Sequence, residues 1–353
     1  MIVRACFGAL LLSVVVIAHA ALAAPPIQLP KGEQIQQMEW TGTGHLLMLA
    51  KTPSGIALRL GDPGDGSVSV VRASKSLGLI DPDSQFLLSP AGNGVAAIER
   101  AGSVIEPGHL WLYRYEHGSL SEVNLRKVDR EFYPAHLAWR SDGSALYVAA
   151  AEYMGAEQPD AVISIDAATG AVSSVADKST LDLIYEMAYA PRSDTLLVKC
   201  GGFKGSYPSE PIVAMLAIGK REPVILHTEA SEFILNALPD GSVLLTAPRS
   251  AKERWVLLPG STTLRRSEES LQIEGWTSTT DGAWLGGLAD GKAIKRQDGG
   301  RYGVFRSRDG KRGFVTSKPS LLVRFAPDGR LVASVANDRS TVSIIPIPDS
   351  KSE

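Results

Sequence analysis

The chain has 353 residues, with 36 Lys and Arg against 38 Asp and Glu and a formal charge of −2, so no global field draws it to nucleic acid or an acidic membrane. Its two cysteines, Cys6 and Cys200, exclude a disulfide-stapled scaffold and any Cys-x-x-Cys metal or redox pair. A chain of this length can bury roughly three quarters of its unfolded surface, so stability is expected from packing.

Met1 to Arg4 carry one positive charge, and Ala5 to Ala18 form an apolar stretch too short to span a bilayer permanently. Ala21-Leu22-Ala23 then supplies a small-residue cleavage site, so residues 1–23 read as a cleaved secretory signal and Ala24 as the mature start. Cys6 leaves with the signal, and Cys200 remains as a packed thiol. A periplasmic or secreted protein is expected, with no transmembrane segment after cleavage.

From Ala24 onward a short strand-like run repeatedly ends in a tight polar turn and restarts as an apolar strand. The turns close at Gly44, Gly94, Gly143, Asp194, Gly241, Gly282 and Gly329, with gaps of 50, 49, 51, 47, 41 and 47 residues. That period fits four-stranded propeller blades and no helical repeat. Pro presets φ, Asp or Asn bonds the backbone ahead, and Gly accepts positive φ. Second hairpins complete most units, around Asp62-Pro63-Gly64-Asp65-Gly66, His117-Gly118, Thr169-Gly170 and Pro259-Gly260. The reading is an all-β, seven-bladed propeller of four-stranded antiparallel blades over residues 24–348, with a short tail at 349–353. The last unit has only three strands of its own, and the segment near Ile27 to Gln34 is expected to supply the fourth and close the ring.

Ala326-Pro327-Asp328-Gly329-Arg330-Leu331-Val332-Ala333 and its weaker sisters resemble the Trp-Ser-Pro-Asp-Gly repeats of TolB-type β-propellers. The resemblance spans all seven units and implies a fold used by periplasmic scaffolds, by binding modules and by the non-catalytic half of prolyl-oligopeptidase-like enzymes. TolB itself has a preceding α/β domain, for which this chain has no room, and six blades.

Ligands of propellers sit over the channel, at the loops that lead into each innermost strand. Here those loops carry Asp81, Asp83, Asp129, Glu131, Glu186, Glu232 and Glu274, interleaved with Tyr133, His136, Tyr185 and Phe233. Their convergence predicts a negative funnel at the channel mouth suited to a cationic or basic peptide. Three longer connections in units two to four predict a raised lip bearing Glu106, His109, Glu152, Tyr153, Met154, Lys204 and Tyr207. From Asp290 to Arg330, eleven Lys or Arg outnumber four Asp, a pattern of exposed hairpin edges or of a patch for an anionic partner.

No Gly-x-Ser-x-Gly elbow, His-Glu-x-x-His pair or nucleotide-binding glycine loop is present, and no metal or cofactor is expected. The leading expectation is a monomeric exported propeller that binds an envelope or secreted protein or peptide through its loop rim. The alternatives are a lactonase-, lyase- or glycosidase-like propeller enzyme using carboxylates such as Glu131, Glu186 and Glu232 as acid and base, or a stand-alone relative of the prolyl-oligopeptidase propeller.

Overall fold

A computed structural model describes residues 24–71, 85–99, 109–125, 133–151, 161–176, 180–190, 194–202, 211–220, 223–227, 234–237, 243–247, 250–258, 261, 263–266, 273–278, 284–290, 300–307 and 312–347. Among these residues there is no helix, and the strands form seven four-stranded antiparallel sheets.

After β1 (Ile27–Gln28), the first sheet comprises β2 (Gln34–Trp40), β3 (Leu46–Thr52), β4 (Gly55–Gly61) and β5 (Val68–Val70). The second has β6 (Gln85–Leu88), β7 (Gly94–Glu99), β8 (His109–Glu116) and β9 (Ser119–Glu122). The third has β10 (Tyr133–Trp139), β11 (Ala145–Ala151), β12 (Ala161–Asp166) and β13 (Val172–Ala176). The fourth has β14 (Asp182–Ala190), β15 (Thr195–Gly202), β16 (Ile212–Ala217) and β17 (Val224–His227). The fifth has β18 (Ile234–Ala237), β19 (Val243–Ala247), β20 (Ser250–Leu257) and β21 (Leu264–Arg266). The sixth has β22 (Ile273–Ser278), β23 (Trp284–Asp290), β24 (Arg301–Ser307) and β25 (Arg312–Phe314). The seventh joins β26 (Ser320–Phe325), β27 (Leu331–Ala336) and β28 (Thr341–Pro346) to β1, in the order β1-β28-β27-β26. Ile27 pairs with Val342 and Gln28 with Thr341, while Leu29 N donates to Ser340 O at 2.8 Å.

The turns between first and second strands explain the repeat. Gly44, Gly92, Gly143 and Gly329 each donate N–H to the residue three before, at 2.8–3.0 Å, and each has a φ between +63° and +80°. Only a residue without Cβ takes that conformation freely. In the fourth sheet Asp194 takes the place at φ +47°. The second turn differs from expectation by two residues. Pro90 at its second position makes Gly92 the left-handed residue, and Gly94 already opens β7. Gly241 and Gly282 lie outside the described residues.

The middle strands β3, β7, β11 and β15 are nearly continuous in buried Leu, Val and Ala, because sheets cover both of their faces. Apolar clusters fill the faces between sheets one and two, two and three, three and four, four and five, six and seven, and seven and one. Indoles add directional bonds. Trp139, last in β10, donates to Leu87 O of β6 at 3.1 Å, and Trp40, last in β2, donates to Arg324 O of β26 at 3.0 Å. Leu87 and Arg324 are the penultimate residues of their strands, so sheet one meets sheet seven as sheet three meets sheet two. Beside Trp40, Arg324 Nε donates to Glu39 Oε1 at 2.7 Å. Arg59 of β4 holds Glu33 by two bonds, Nε to Oε2 at 2.8 Å and Nη2 to Oε1.

Neighbouring turns interlock along one end of the sheets. A Cβ on Gly92 would lie 2.3 Å from Trp40 O, and one on Gly143 would lie 2.0 Å from Asn93 Oδ1. Asn93 in turn accepts from Ser89 Oγ at 2.7 Å and donates to Asp142 O at 3.3 Å.

Candidate functional site

Those expected site residues that the structure describes fall at the opposite end, where the first strands of the sheets begin and the second strands finish. Tyr133 pairs with Ala151, Asp182 with Gly202 and Glu99 with His109. Asp81, Asp83, Glu131 and Glu232 lie outside the described residues, as do Glu106, Tyr153, Lys204 and Tyr207 of the lip. Tyr133 and Glu274 are placed on β10 and β22 by their backbones, and His109 opens β8 with an exposed ring 4.3 Å from that of Trp111. Tyr185, Glu186 and His136 are half-buried on adjacent sheets.

A shared irregularity sets their positions. In β2, β10, β14 and β26 the pairing with the second strand slips by one residue, and Gln37, His136, Glu186 and Leu322 follow the slip. A bulge of this kind twists the strand and redirects the next side chain. Gln37 thereby reaches the second sheet, donating to Phe86 O at 2.6 Å and accepting from Leu88 N at 2.8 Å. Glu186 does the same between sheets four and five, its Oε1 accepting from Leu235 N of β18 at 3.1 Å. His136 occupies the equivalent place on the third sheet, next to the fourth.

Glu186 is therefore an oriented carboxyl in a largely apolar interface of Ala188, Leu197, Val213 and Leu235. Burial raises its pKa, and the Leu235 N–H and the ammonium of Lys199 oppose the rise without cancelling it. Lys199 is the direct cross-strand partner of Glu186 and is itself half-buried. Sequence reasoning missed Lys199, whose one signal is its position as the charged residue in the apolar run Leu196 to Cys200. The carboxyl and the ammonium thus face each other across one strand pair, an arrangement able to accept and shield a proton.

Two other polar groups are structural. Glu39 has a pKa raised by burial and partly restored by Arg324, in a closed ion pair with both side chains about one-fifth exposed. At the turn end, Arg140 Nε lies 3.4 Å from Asp142 Oδ2 and 3.9 Å from Asp194 Oδ1, and Tyr189 donates its hydroxyl to Asp194 at 2.7 Å. Burial first, and Asp194 second, push the Tyr189 phenol far above its ordinary range. Its ring stacks on Tyr147 of the third sheet with centroids 5.6 Å apart.

No protein-family model matches the sequence, and no curated protein shows significant similarity to it. The fold has many solved relatives. An oligogalacturonate lyase from Vibrio parahaemolyticus superposes with a TM-score of 0.57 at 13% identity, over 93% of this chain and 92% of that one. An oligogalacturonate lyase in complex with manganese gives the same score and identity over 92% and 96%. A prolyl endopeptidase matches at 0.56 and 13% identity, over 91% of this chain and 51% of its own. These likenesses define a propeller-type all-β fold, and the TolB-type likeness rests on the turn sequences alone. Among the described residues no three His, Cys, Asp or Glu side chains gather as metal ligands.

Proposed function

We propose that the seven sheets are the blades of one closed ring, and that this ring is an enzyme acting on an acidic sugar chain at the loop end of its channel. Closure is supported by the pairing of Ile27 with Val342 and by the matched indole bonds of Trp40 and Trp139. The enzyme reading is carried by Glu186, a desolvated carboxyl with raised pKa, one oxygen fixed by a backbone N–H and a lysine across the strand pair.

That constellation suits β-elimination. Glu186 takes the proton beside the sugar carboxylate, the C–H electron pair becomes the new C=C bond, and the bridging oxygen leaves with a proton from His136. Lys199 offsets the charge that develops on the sugar carboxylate. Hydrolysis by two carboxylates has only Glu186 to draw on among the described mouth residues whose side chains are placed. Two full-length structural neighbours being oligogalacturonate lyases makes oligogalacturonates the first substrates to try. Export through residues 1–23 would place the enzyme where extracellular polysaccharide fragments arrive.

The test is incubation with oligogalacturonates, read by the ultraviolet absorbance of the unsaturated product. Wild type should generate it, with activity rising along the acid limb of a bell-shaped pH profile as Glu186 loses its proton. Glu186→Gln should lose about 10²- to 10⁴-fold with its melting temperature retained. A chain that cleaves no uronate yet retains an envelope protein in a pull-down would establish the binding-module reading instead.

A further inference from the structure

We propose that Leu183 is the apolar ligand contact of this mouth, kept in an unfavourable backbone conformation for that purpose. Its φ is +51°. Among the described residues the other non-glycine positions with positive φ, His117, Asp194 and Arg339, lie in turns, whereas Leu183 lies inside β14. A side chain with a Cβ resists this conformation, and Gly or Asn would take it far more easily. Leu181 and Ile184 on either side are fully buried and anchor the strand, while Leu183 is 38% exposed.

The surrounding chain accommodates it. Leu183 faces Gly201, between the pairs Asp182–Gly202 and Ile184–Cys200, and a Cβ on Gly201 would come within 3.0 Å of the leucine Cβ and Cδ1. The strain thus holds an apolar side chain at the rim, two residues before Tyr185 and three before Glu186. Backbone strain of this kind is kept where surrounding structure and function demand it. An apolar leucine and an aromatic ring in one short stretch, with an ammonium on the paired strand, fit a pyranose bearing a carboxylate: its C–H face on Leu183 and Tyr185, its anion toward Lys199.

This inference rests on the site proposed above and not on its reaction. Leu183→Gly and Leu183→Asn, both at ease at positive φ, are compared with wild type by thermal melting and by NMR titration with cyclohexanol, a ring-sized apolar probe with one hydroxyl. The melting temperature should hold or rise by about 2 °C. Cyclohexanol binding, followed on Tyr185, should weaken about 5-fold or more, and KM for trigalacturonate should rise similarly with kcat little changed. A fall in melting temperature with unaltered cyclohexanol shifts would mark a packing residue and overturn the proposal. So would a wild type whose Tyr185 resonances ignore the probe. Failure of wild type to cleave trigalacturonate, with the cyclohexanol results as expected, removes the reaction and leaves the contact standing.

Discussion

Arg324→Met isolates the ion pair between the first and seventh sheets. Met keeps most of the side-chain volume and removes the guanidinium, leaving Glu39 as a carboxylate about 20% exposed without its cation. Breaking a buried pair from one side costs about 3–5 kcal/mol, and residual hydration here reduces that to about 2–3 kcal/mol near neutral pH. At roughly 2 °C per kcal/mol for a chain of this size, melting should fall by about 4–6 °C. The pH dependence is the sharper signature. Burial holds the folded-state pKa of Glu39 above its unfolded value, so its contribution to stability is fully present in acid and is lost as pH rises through the folded pKa. Removing Arg324 raises that pKa further, so the deficit of the variant should shrink as pH falls and the carboxyl takes a proton. Glu39→Gln, which removes the charge and keeps an acceptor for Arg324, should stay within about 1 kcal/mol of wild type. Circular-dichroism melts of the three proteins at about pH 7.5 and about pH 4.5 read all of this. A deficit for Arg324→Met that is equal at both values, or a Glu39→Gln variant as damaged as Arg324→Met, would refute the reasoning.

Gly143→Ala should lose about 2–4 kcal/mol in urea unfolding, because the added methyl meets Asn93 Oδ1 at 2.0 Å and Ser89 Oγ at 2.5 Å as well as a φ of +69°. Gly44→Ala, at φ +80° with nothing within 4 Å, should lose only about 1–2 kcal/mol, and equal losses would contradict the interlocking of the turns. Ile27→Ala empties a fully buried position against Val342 and should cost about 2–4 kcal/mol while speeding amide exchange in β28; unchanged exchange there would contradict a structural role for β1.

The four-stranded plan was legible because each of the five units whose first turn is described spends a glycine or aspartate on a left-handed turn residue, a local demand that survives as a local signal. Gly92 shows the limit of that signal, since Gly92 and Gly94 both fit the pattern and only Pro90 with the bond to Ser89 O decides between them. The site was half legible. Tyr185, Glu186 and His136 were expected at the mouth by their place before the turns, but the bulge that aims Glu186 at Leu235 leaves no residue type as a mark. Lys199 joins Glu186 through cross-strand register, which depends on where the intervening turn closes. Leu183 is silent for a stronger reason: the residue that identifies a positive φ is glycine or asparagine, and the chain has leucine there.

Glu39 and Glu186 are both buried carboxyls with raised pKa, and burial alone does not distinguish them. Their partners do. Glu39 meets a guanidinium at hydrogen-bond distance beside the Trp40 indole, so its charge is consumed in joining two sheets. Glu186 has one oxygen on a backbone N–H, which orients the carboxyl without neutralising it, and the opposing charge of Lys199 reaches it across the strand pair. The same contrast separates the two ends of the sheets. At the turn end, Asn93 and Arg140 spend polar groups on neighbouring turns and Tyr189 on the turn of its own sheet, and glycines bring those turns within contact. A ligand binding there would first have to break these bonds. At the loop end, a strained leucine, a half-buried tyrosine and a desolvated acid lie within four successive residues of one strand, so chemistry at that end can proceed without loosening the contacts that hold the sheets together.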